Sequence, residues 1–195
     1  FPTRRSSDLL RIADVYENLK KTANGEIVSD NSKITFERYI MGSYFEQVLY
    51  YANLRFSKMT GGRYEIVRGE SRDKRISAGL EISVRDNFNN KERDISSLSG
   101  GESFQASLAL ALGLSDIIQQ RNGGIRLDSI FIDEGFGSLD NDSLASAIET
   151  LNDLTGNGNR LVGIISHISE LKNSIGNKIE VVGTKSGSSI KIITD

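Results

Sequence analysis

The feature that most constrains the fold is a continuous apolar run, Ile130-Phe131-Ile132, that ends in two adjacent carboxylates, Asp133 and Glu134. A run without polar alternation is typical of a strand that is buried on both faces of a parallel sheet. A helix is predicted over residues 142–154, and a second apolar run follows at 161–165. Strand, helix and strand in this order predict an α/β fold with a parallel sheet and flanking helices.

Upstream, the chain is predicted to supply helices and half-buried strands. Apolar residues at 9, 12, 16 and 19 follow a heptad-like spacing, which fits either the end of a coiled coil or a plain amphipathic helix. Further helices are predicted at 34–59 and 102–120, and the second is apolar almost all round, which indicates burial on more than one side. The other predictions are strands at 64–67 and 80–84, a polar loop at 87–92, a short helix at 169–175, and a hairpin at 178–182 and 189–193.

Composition excludes several classes of site. The 195 residues include no cysteine and a single histidine, His167, so disulfides and thiolate metal sites are excluded and a zinc cluster is disfavoured. No apolar stretch approaches the ~20 residues that cross a bilayer, and no signal peptide is visible. We therefore expect a cytoplasmic protein without a membrane partner.

Charge is distributed unevenly along the chain. Residues 55–93 carry ten Lys or Arg against six Asp or Glu, whereas residues 94–155 carry two against ten. Such asymmetry is consistent with a basic nucleic-acid surface beside an acidic metal-binding region. Solvated faces that merely differ in composition would give the same counts, so charge alone leaves both interpretations open.

Four short patterns carry candidate chemistry. Ser99-Gly100-Gly101-Glu102 can offer backbone N–H groups to an anion at a helix start, and equally it can be an ordinary N-cap. Asp133 and Glu134 can bind Mg²⁺ and activate water, or simply end a strand in a polar turn. Asp140 in Gly137-Ser138-Leu139-Asp140 fits a helix cap, and His167 follows the strand at 161–165, where an imidazole can reach a terminal phosphate.

All four patterns occur in one order, at helix starts or strand ends that should line one edge of the sheet. This order resembles the carboxyl-terminal lobe of an ABC-type ATPase head, of the P-loop NTPase class. Residues 98–102 look like its signature motif, 130–134 its Walker B motif, 138–140 its D-loop, and His167 its switch histidine.

The subfamily follows from the helix after the signature. Residues 103–116, together with Tyr44-Phe45-Glu46-Gln47-Val48-Leu49, Ala52-Asn53-Leu54-Arg55 and Met59-Thr60-Gly61-Gly62-Arg63-Tyr64, resemble the SbcC family of DNA-repair exonuclease subunits. SMC-like chromosome-structuring ATPases and ABC transporter subunits share the signature and remain alternatives.

The resemblance implies ATP and Mg²⁺ as cofactors and two heads that sandwich two ATP molecules. It implies that Ser99, Gly100 and Gly101 contact ATP bound by the opposite head, with Asp140 at the dimer interface. It implies that three residues act on the nucleotide of their own head: Asp133 as the metal ligand, Glu134 as the base, and His167. The implied partners are a second copy, an SbcD-type nuclease subunit and double-stranded DNA.

No Gly-x-x-x-x-Gly-Lys-[Ser/Thr] phosphate loop occurs in the chain. The resemblance places that loop in an amino-terminal lobe, beyond a long coiled coil, so we expect a truncated chain that is inactive alone. The expected domains are a non-native leader at 1–8, the end of a coiled-coil arm at 9–23, and the carboxyl-terminal head lobe at 24–195.

Overall fold

A computed structural model describes residues 4–26, 35–69, 80–121, 127–158, 160–184 and 187–194. The helices in these ranges are α1 Arg4–Ala23, α2 Phe36–Met59, α3 Gly100–Arg121, α4 Asn141–Gly158 and α5 Ser169–Ser174. The strands are β1 Tyr64–Arg68, β2 Ile82–Asp86, β3 Lys91–Asp94, β4 Ser129–Asp133, β5 Leu161–Ile165, β6 Lys178–Thr184 and β7 Gly187–Ile193. Short 3₁₀ turns at Ile95–Ser97 and Phe136–Ser138 precede α3 and α4.

The strands form three small sheets. β1, β2 and β3 pair antiparallel in that order, and β6 and β7 form the predicted terminal hairpin. β4 and β5 pair in parallel, with Ser129 opposite Leu161 and Asp133 opposite Ile165. Because α4 connects the two parallel strands, the predicted strand–helix–strand unit is confirmed.

The polar loop predicted at 87–92 is wrong in its second half. A turn occupies residues 87–90, and β3 then pairs with β2. This edge strand, Lys-Glu-Arg-Asp, has no apolar residue, so it gives no hydrophobic alternation to detect. Its pairing is supported by Arg85 on β2, whose guanidinium donates to Glu92 at 2.7 Å and to Glu65 on β1 at 3.2 Å.

The core lies where α2, α3 and α4 meet the sheets. α3 packs along α2 and also against the turn Phe136–Ser138, so its predicted burial on more than one side is confirmed. Asp116 on α3 binds two arginines: Arg55 on α2 at 2.7 Å and Arg160, just before β5, at 3.1 Å. All three side chains are less than one-fifth exposed, so one carboxylate joins three parts of the fold. The fully buried large side chains of this core are Phe56, Ile66, Val84, Leu112 and Phe136.

The expectation that β4 is buried on both faces is wrong for this chain. Ile130 and Ile132 pack against the core, but Phe131 is 71% exposed and its ring lies against Gly163 of β5. The reason is that β4 and β5 form a two-stranded sheet, and the described helices pack against only one of its faces. Leu161 and Ile165 are exposed on the same face as Phe131.

The first helix contacts α2 but contributes none of its described side chains to this core. α1 confirms the helix predicted around residues 9–19, and it begins at Arg4, inside the segment predicted as a leader. Its apolar positions Leu9, Ile12, Tyr16 and Leu19 are all exposed. In the part of the chain that the structure describes, no helix is both long and apolar enough to span a membrane.

Candidate active site

The carboxyl ends of β4 and β5 bring together two residues that lie 33 positions apart in the sequence. The parallel register places Asp133 opposite Ile165, and the N–H of Glu134 donates to the carbonyl of Ile165 at 2.9 Å, which extends the ladder by one bond. Glu134 therefore leaves the sheet beside the segment that leads from β5 to His167. This is the edge of a parallel sheet where ligands bind in α/β folds.

His167 and Glu134 contact each other directly. The imidazole Nδ1 lies 3.0 Å from Oε2 and 3.2 Å from Oε1 of the carboxylate. In the tautomer that protonates Nδ1, the imidazole donates to the carboxylate, because an ionised carboxylate only accepts hydrogen bonds. The side chains are 78% and 53% exposed, respectively, so both groups can reach a ligand. The pair combines a proton acceptor and a hydrogen-bond donor at one open edge.

Asp133 is the last residue of β4, and it is exposed beside this pair. Among the described residues no three carboxylate or imidazole groups cluster closely enough to hold a metal ion by themselves. Mg²⁺ is commonly bound through one or two carboxylates together with substrate phosphates. A single rigid carboxylate at the strand end fits that donor set, whereas an all-protein metal cage does not fit these residues.

The backbone turns sharply after β4. Glu134 has φ +58° and Gly135 has φ +96°, two consecutive left-handed residues. A non-glycine residue in this region costs about 1–3 kcal/mol, and such strain is concentrated at functional sites. The turn redirects the chain into Phe136–Ser138 and leaves the Glu134 side chain at the sheet edge.

A capping box forms at the start of α3. The N–H of Ser99 donates to Glu102 Oε2 at 2.9 Å, and the N–H of Glu102 donates to Ser99 Oγ at 3.3 Å. This is the ordinary N-cap that the sequence offered as an alternative. The Ser99 hydroxyl is exposed and also donates to the Glu102 carboxylate, so it can meet a ligand by exchanging that bond. The helix dipole adds positive potential at the same end, which favours an anion.

Tyr64 and Arg93 support this capping box, and the sequence did not identify either of them as functional. Burial raises the pKa of Glu102, but hydrogen bonds from Ser99 and Tyr64 and the charge of Arg93 outweigh it, and the net pKa is lowered. Burial and the same contact with Glu102 raise the pKa of Tyr64. The Arg93 guanidinium lies 5.4 Å from the Tyr64 ring centre and donates to the Ser97 carbonyl at 2.9 Å. For Tyr64, the sequence signal was its place in the segment 59–64, which resembles the SbcC family.

Asp140 is the N-cap of α4. Its carboxylate accepts a hydrogen bond from the N–H of Ser143 at 2.8 Å, and hydrogen bonds from Ser143 hold the pKa of Asp140 below its ordinary value. The residues just before it contact the start of α3: a Cβ placed on Gly101 would lie 2.9 Å from the Ser138 carbonyl oxygen. The chain thus joins Ser99–Gly101 to the segment 138–140, while Ser99 hydrogen-bonds Glu102 and not Glu134 or His167.

Known proteins are similar to this chain over the segment that contains most of these site residues. Residues 70–153 match the family model described as "SbcC/RAD50-like, Walker B motif", a range that includes Ser99, Asp133, Glu134 and Asp140 but ends before His167. The SbcC component of the SbcCD nuclease from Vibrio cholerae is 48% identical over 181 residues, which cover 92% of this chain. The protein of the same name from Staphylococcus epidermidis is 55% identical over 153 residues, or 78% of this chain. The chain belongs to the SbcC family.

This member of the SbcC family spans only part of such proteins: 18% of the Vibrio and 15% of the Staphylococcus relative. Its fold is that of an SMC-type ATPase head. A solved structure from work on the ATP-driven dimerization of SMC ATPases aligns with this chain with a TM-score of 0.62 at 16% identity. The alignment covers 80% of this chain and 89% of the other chain. An Smc head domain from Pyrococcus furiosus aligns with 0.59 at 18% identity, covering 98% and 45%. The predicted α/β ABC-type head lobe is therefore confirmed.

Proposed function

We propose that this chain is the catalytic and dimer-forming lobe of the ATPase subunit of an SbcC–SbcD-type nuclease complex. The observation that carries the proposal is the Glu134 carboxylate, held at the open end of β4 beside Asp133 and 3.0 Å from His167 Nδ1. In this proposal ATP binding closes two heads, hydrolysis opens them, and the cycle gates nuclease processing of double-stranded DNA ends.

The cis residues act on the nucleotide of their own head. Asp133 would hold Mg²⁺, which when bound neutralises charge on the phosphates of ATP. Glu134 accepts a proton from the attacking water as the water oxygen bonds to the γ-phosphorus and ADP departs. With both ring nitrogens protonated, His167 would hold that carboxylate through Nδ1–H and donate to the terminal phosphate through Nε2–H. The exposure of both side chains supports these roles because each must meet a substrate that arrives from solvent.

The trans residues complete the site of the opposite head. The Ser99 hydroxyl and the N–H groups at Gly100 and Gly101 would contact the γ-phosphate bound by the partner, at the positive end of the α3 dipole. Asp140 would lie at the dimer interface. The exposure of Ser99 supports this assignment, since its hydroxyl can exchange the bond to the Glu102 carboxylate for one to a phosphate.

The remaining partners follow from the family relationship. An amino-terminal lobe of the same protein would supply the phosphate loop, so we propose that this chain alone does not hydrolyse ATP. The nuclease subunit would dock near the base of the coiled coil, here α1 and α2, and the complex would act in the cytoplasm. Residues 55–93 are the candidate DNA surface; Arg72, Lys74 and Arg75 in this stretch lie outside the described residues.

Two substitutions in the full-length protein test the proposal. Glu134→Gln should keep ATP binding and abolish steady-state hydrolysis, with a loss of about 100-fold or more because a positioned base contributes that much. Ser99→Arg should leave nucleotide binding by a single head intact and block ATP-dependent dimerisation measured by sedimentation. Hydrolysis at the wild-type rate by Glu134→Gln would overturn the assignment of the base, and unimpaired dimerisation of Ser99→Arg would overturn the trans site.

A further inference from the structure

Phe104, one turn into α3, fills the space beside the turn that follows Glu134. A Cβ placed on Gly135 would lie 2.2 Å from Cε2 and 2.5 Å from Cδ2 of the Phe104 ring. Gly135 also has φ +96°, where side chains are disfavoured. Both the available space and the backbone conformation require glycine at this position. The Phe104 ring therefore packs directly against the Gly135 backbone, one residue after Glu134.

The ring is itself fixed on its other side. Phe104 packs edge-to-face against Phe136, with the ring centres 4.8 Å apart at an interplanar angle of 62°, and Phe136 is 1% exposed. Three residues earlier on the same helix face, Gly101 approaches the Ser138 carbonyl. The first turns of α3 therefore contact the segment 135–138 at two points. At these two points the packing is tight enough to transmit a displacement, although the Phe104 ring also lines a cavity of about 330 Å³ beside β4.

We propose that Phe104 is a positioning residue that couples the phosphate-binding end of α3 to the Glu134 carboxylate of the same head. A shift of α3 when Ser99–Gly101 engage the partner's nucleotide moves the ring, and the ring moves Gly135 and Glu134. The inference rests on the proposed function, in which Ser99 serves one ATP and Glu134 the other. Phe104 then connects the two nucleotide sites of the dimer through side-chain packing within one chain.

The first experiment is Phe104→Leu in the full-length protein, which removes the ring and keeps an apolar side chain. We expect ATP affinity to stay within about twofold, and kcat to fall at least tenfold, equal to about 1.4 kcal/mol of barrier. Leu110→Ala is the matched control, because Leu110 is half-buried in the same core and on the same helix. Equal losses of kcat in both variants, or an unchanged kcat in Phe104→Leu, would overturn the proposal.

The second experiment separates coupling from local support. In dimers of one Glu134→Gln head and one active head, a single site hydrolyses ATP. Phe104→Leu placed in the active head disturbs the Glu134 of that site, and placed in the Glu134→Gln head it disturbs the Ser99 that completes it. Slower single-turnover hydrolysis from both placements is expected. An effect from the active head alone would make Phe104 a local support of Glu134 and overturn the coupling. Should Glu134→Gln heads hydrolyse ATP normally, the proposed function fails instead, irrespective of Phe104.

Discussion

His167 Nδ1 lies 3.0 Å from Glu134 Oε2, a contact between the segments that follow two parallel strands. The register of β4 and β5 produces it, because Glu134 adds a hydrogen bond to the Ile165 carbonyl beyond the last pair of the ladder. The geometry of the sheet thus determines the geometry of the proposed catalytic pair, which makes each member separately testable.

Replacing His167 by alanine in the full-length protein should lower kcat by about 100-fold, at the lower end of what a positioned hydrogen-bonding or proton-transfer group contributes. ATP affinity should change little if, as proposed, the phosphate loop of an amino-terminal lobe holds the nucleotide. Steady-state hydrolysis and equilibrium nucleotide binding measure the two effects. A variant with normal kcat would assign His167 a structural role only.

Asp116→Ala should destabilise the fold by about 3 kcal/mol, because it leaves the mostly buried Arg55 and Arg160 guanidiniums without their carboxylate. Thermal or denaturant unfolding of the full-length protein measures the loss. Lys58→Ala is the control: Lys58 pairs with Glu149 and Asp153 at an exposed position, where such pairs contribute little. Similar stability of both variants would contradict the role assigned to Asp116.

Asp140 should make the fold pH-dependent at acid pH. Its pKa is lowered in the folded state by hydrogen bonds from Ser143, so its stabilisation is complete above the unfolded pKa of about 3.9 and is lost as pH falls through the lower folded pKa. Asp140→Ala should therefore lose more stability at pH 7 than at pH 2. Asp140→Asn keeps a capping side chain without the titration, and should differ from Asp140→Ala by the same amount at both pH values.

The exposed face of β4 and β5 should promote self-association of the 195-residue chain on its own. Phe131, Leu161 and Ile165 present an apolar surface on a sheet whose two strands, within the described ranges, pair only with each other. Leu161→Lys should reduce concentration-dependent association in sedimentation velocity. Leu114→Lys changes an exposed leucine on α3 and should have no such effect.

Reversing the charges of Arg72, Lys74 and Arg75 in the full complex should weaken DNA binding and reduce the salt slope by about 3, one for each lost phosphate contact. The control reverses Lys172, Lys178 and Lys191, three lysines outside residues 55–93. Unchanged affinity and slope in the first variant would remove this segment from the DNA surface.

The sequence predicted the parts of the fold that leave a periodic trace. The strands predicted at 129–132 and 161–165, the helix between them and the terminal hairpin are all present, and the strand ends explain why Glu134 and His167 meet. β3 was missed because edge pairing by charged residues has no hydrophobic period. The exposure of Phe131 was missed because a run of residues does not reveal how many faces its neighbours cover.

The contacts around the site depend on tertiary packing. Phe104 is an ordinary core residue in a helical pattern, and only its distance from Gly135 distinguishes it. Tyr64 and Glu102 lie on different elements, so their hydrogen bond follows from how β1 meets α3. Motifs identified the residues that would touch ATP, while the residues that hold them in place are distinguished only by their three-dimensional contacts.

The capping box of Ser99 and Glu102 has a thermodynamic consequence for ligand recognition. The Ser99 hydroxyl that would meet a phosphate and the Glu102 side chain beside it are already ordered by hydrogen bonds within their own chain. The entropy of fixing them is therefore lost when the protein folds, and an arriving anion loses little affinity to ordering this loop. A helix cap of this kind acts as a ready-made receptor, so the closing of two heads can be governed by whether nucleotide is present rather than by slow rearrangement of the surface that binds it.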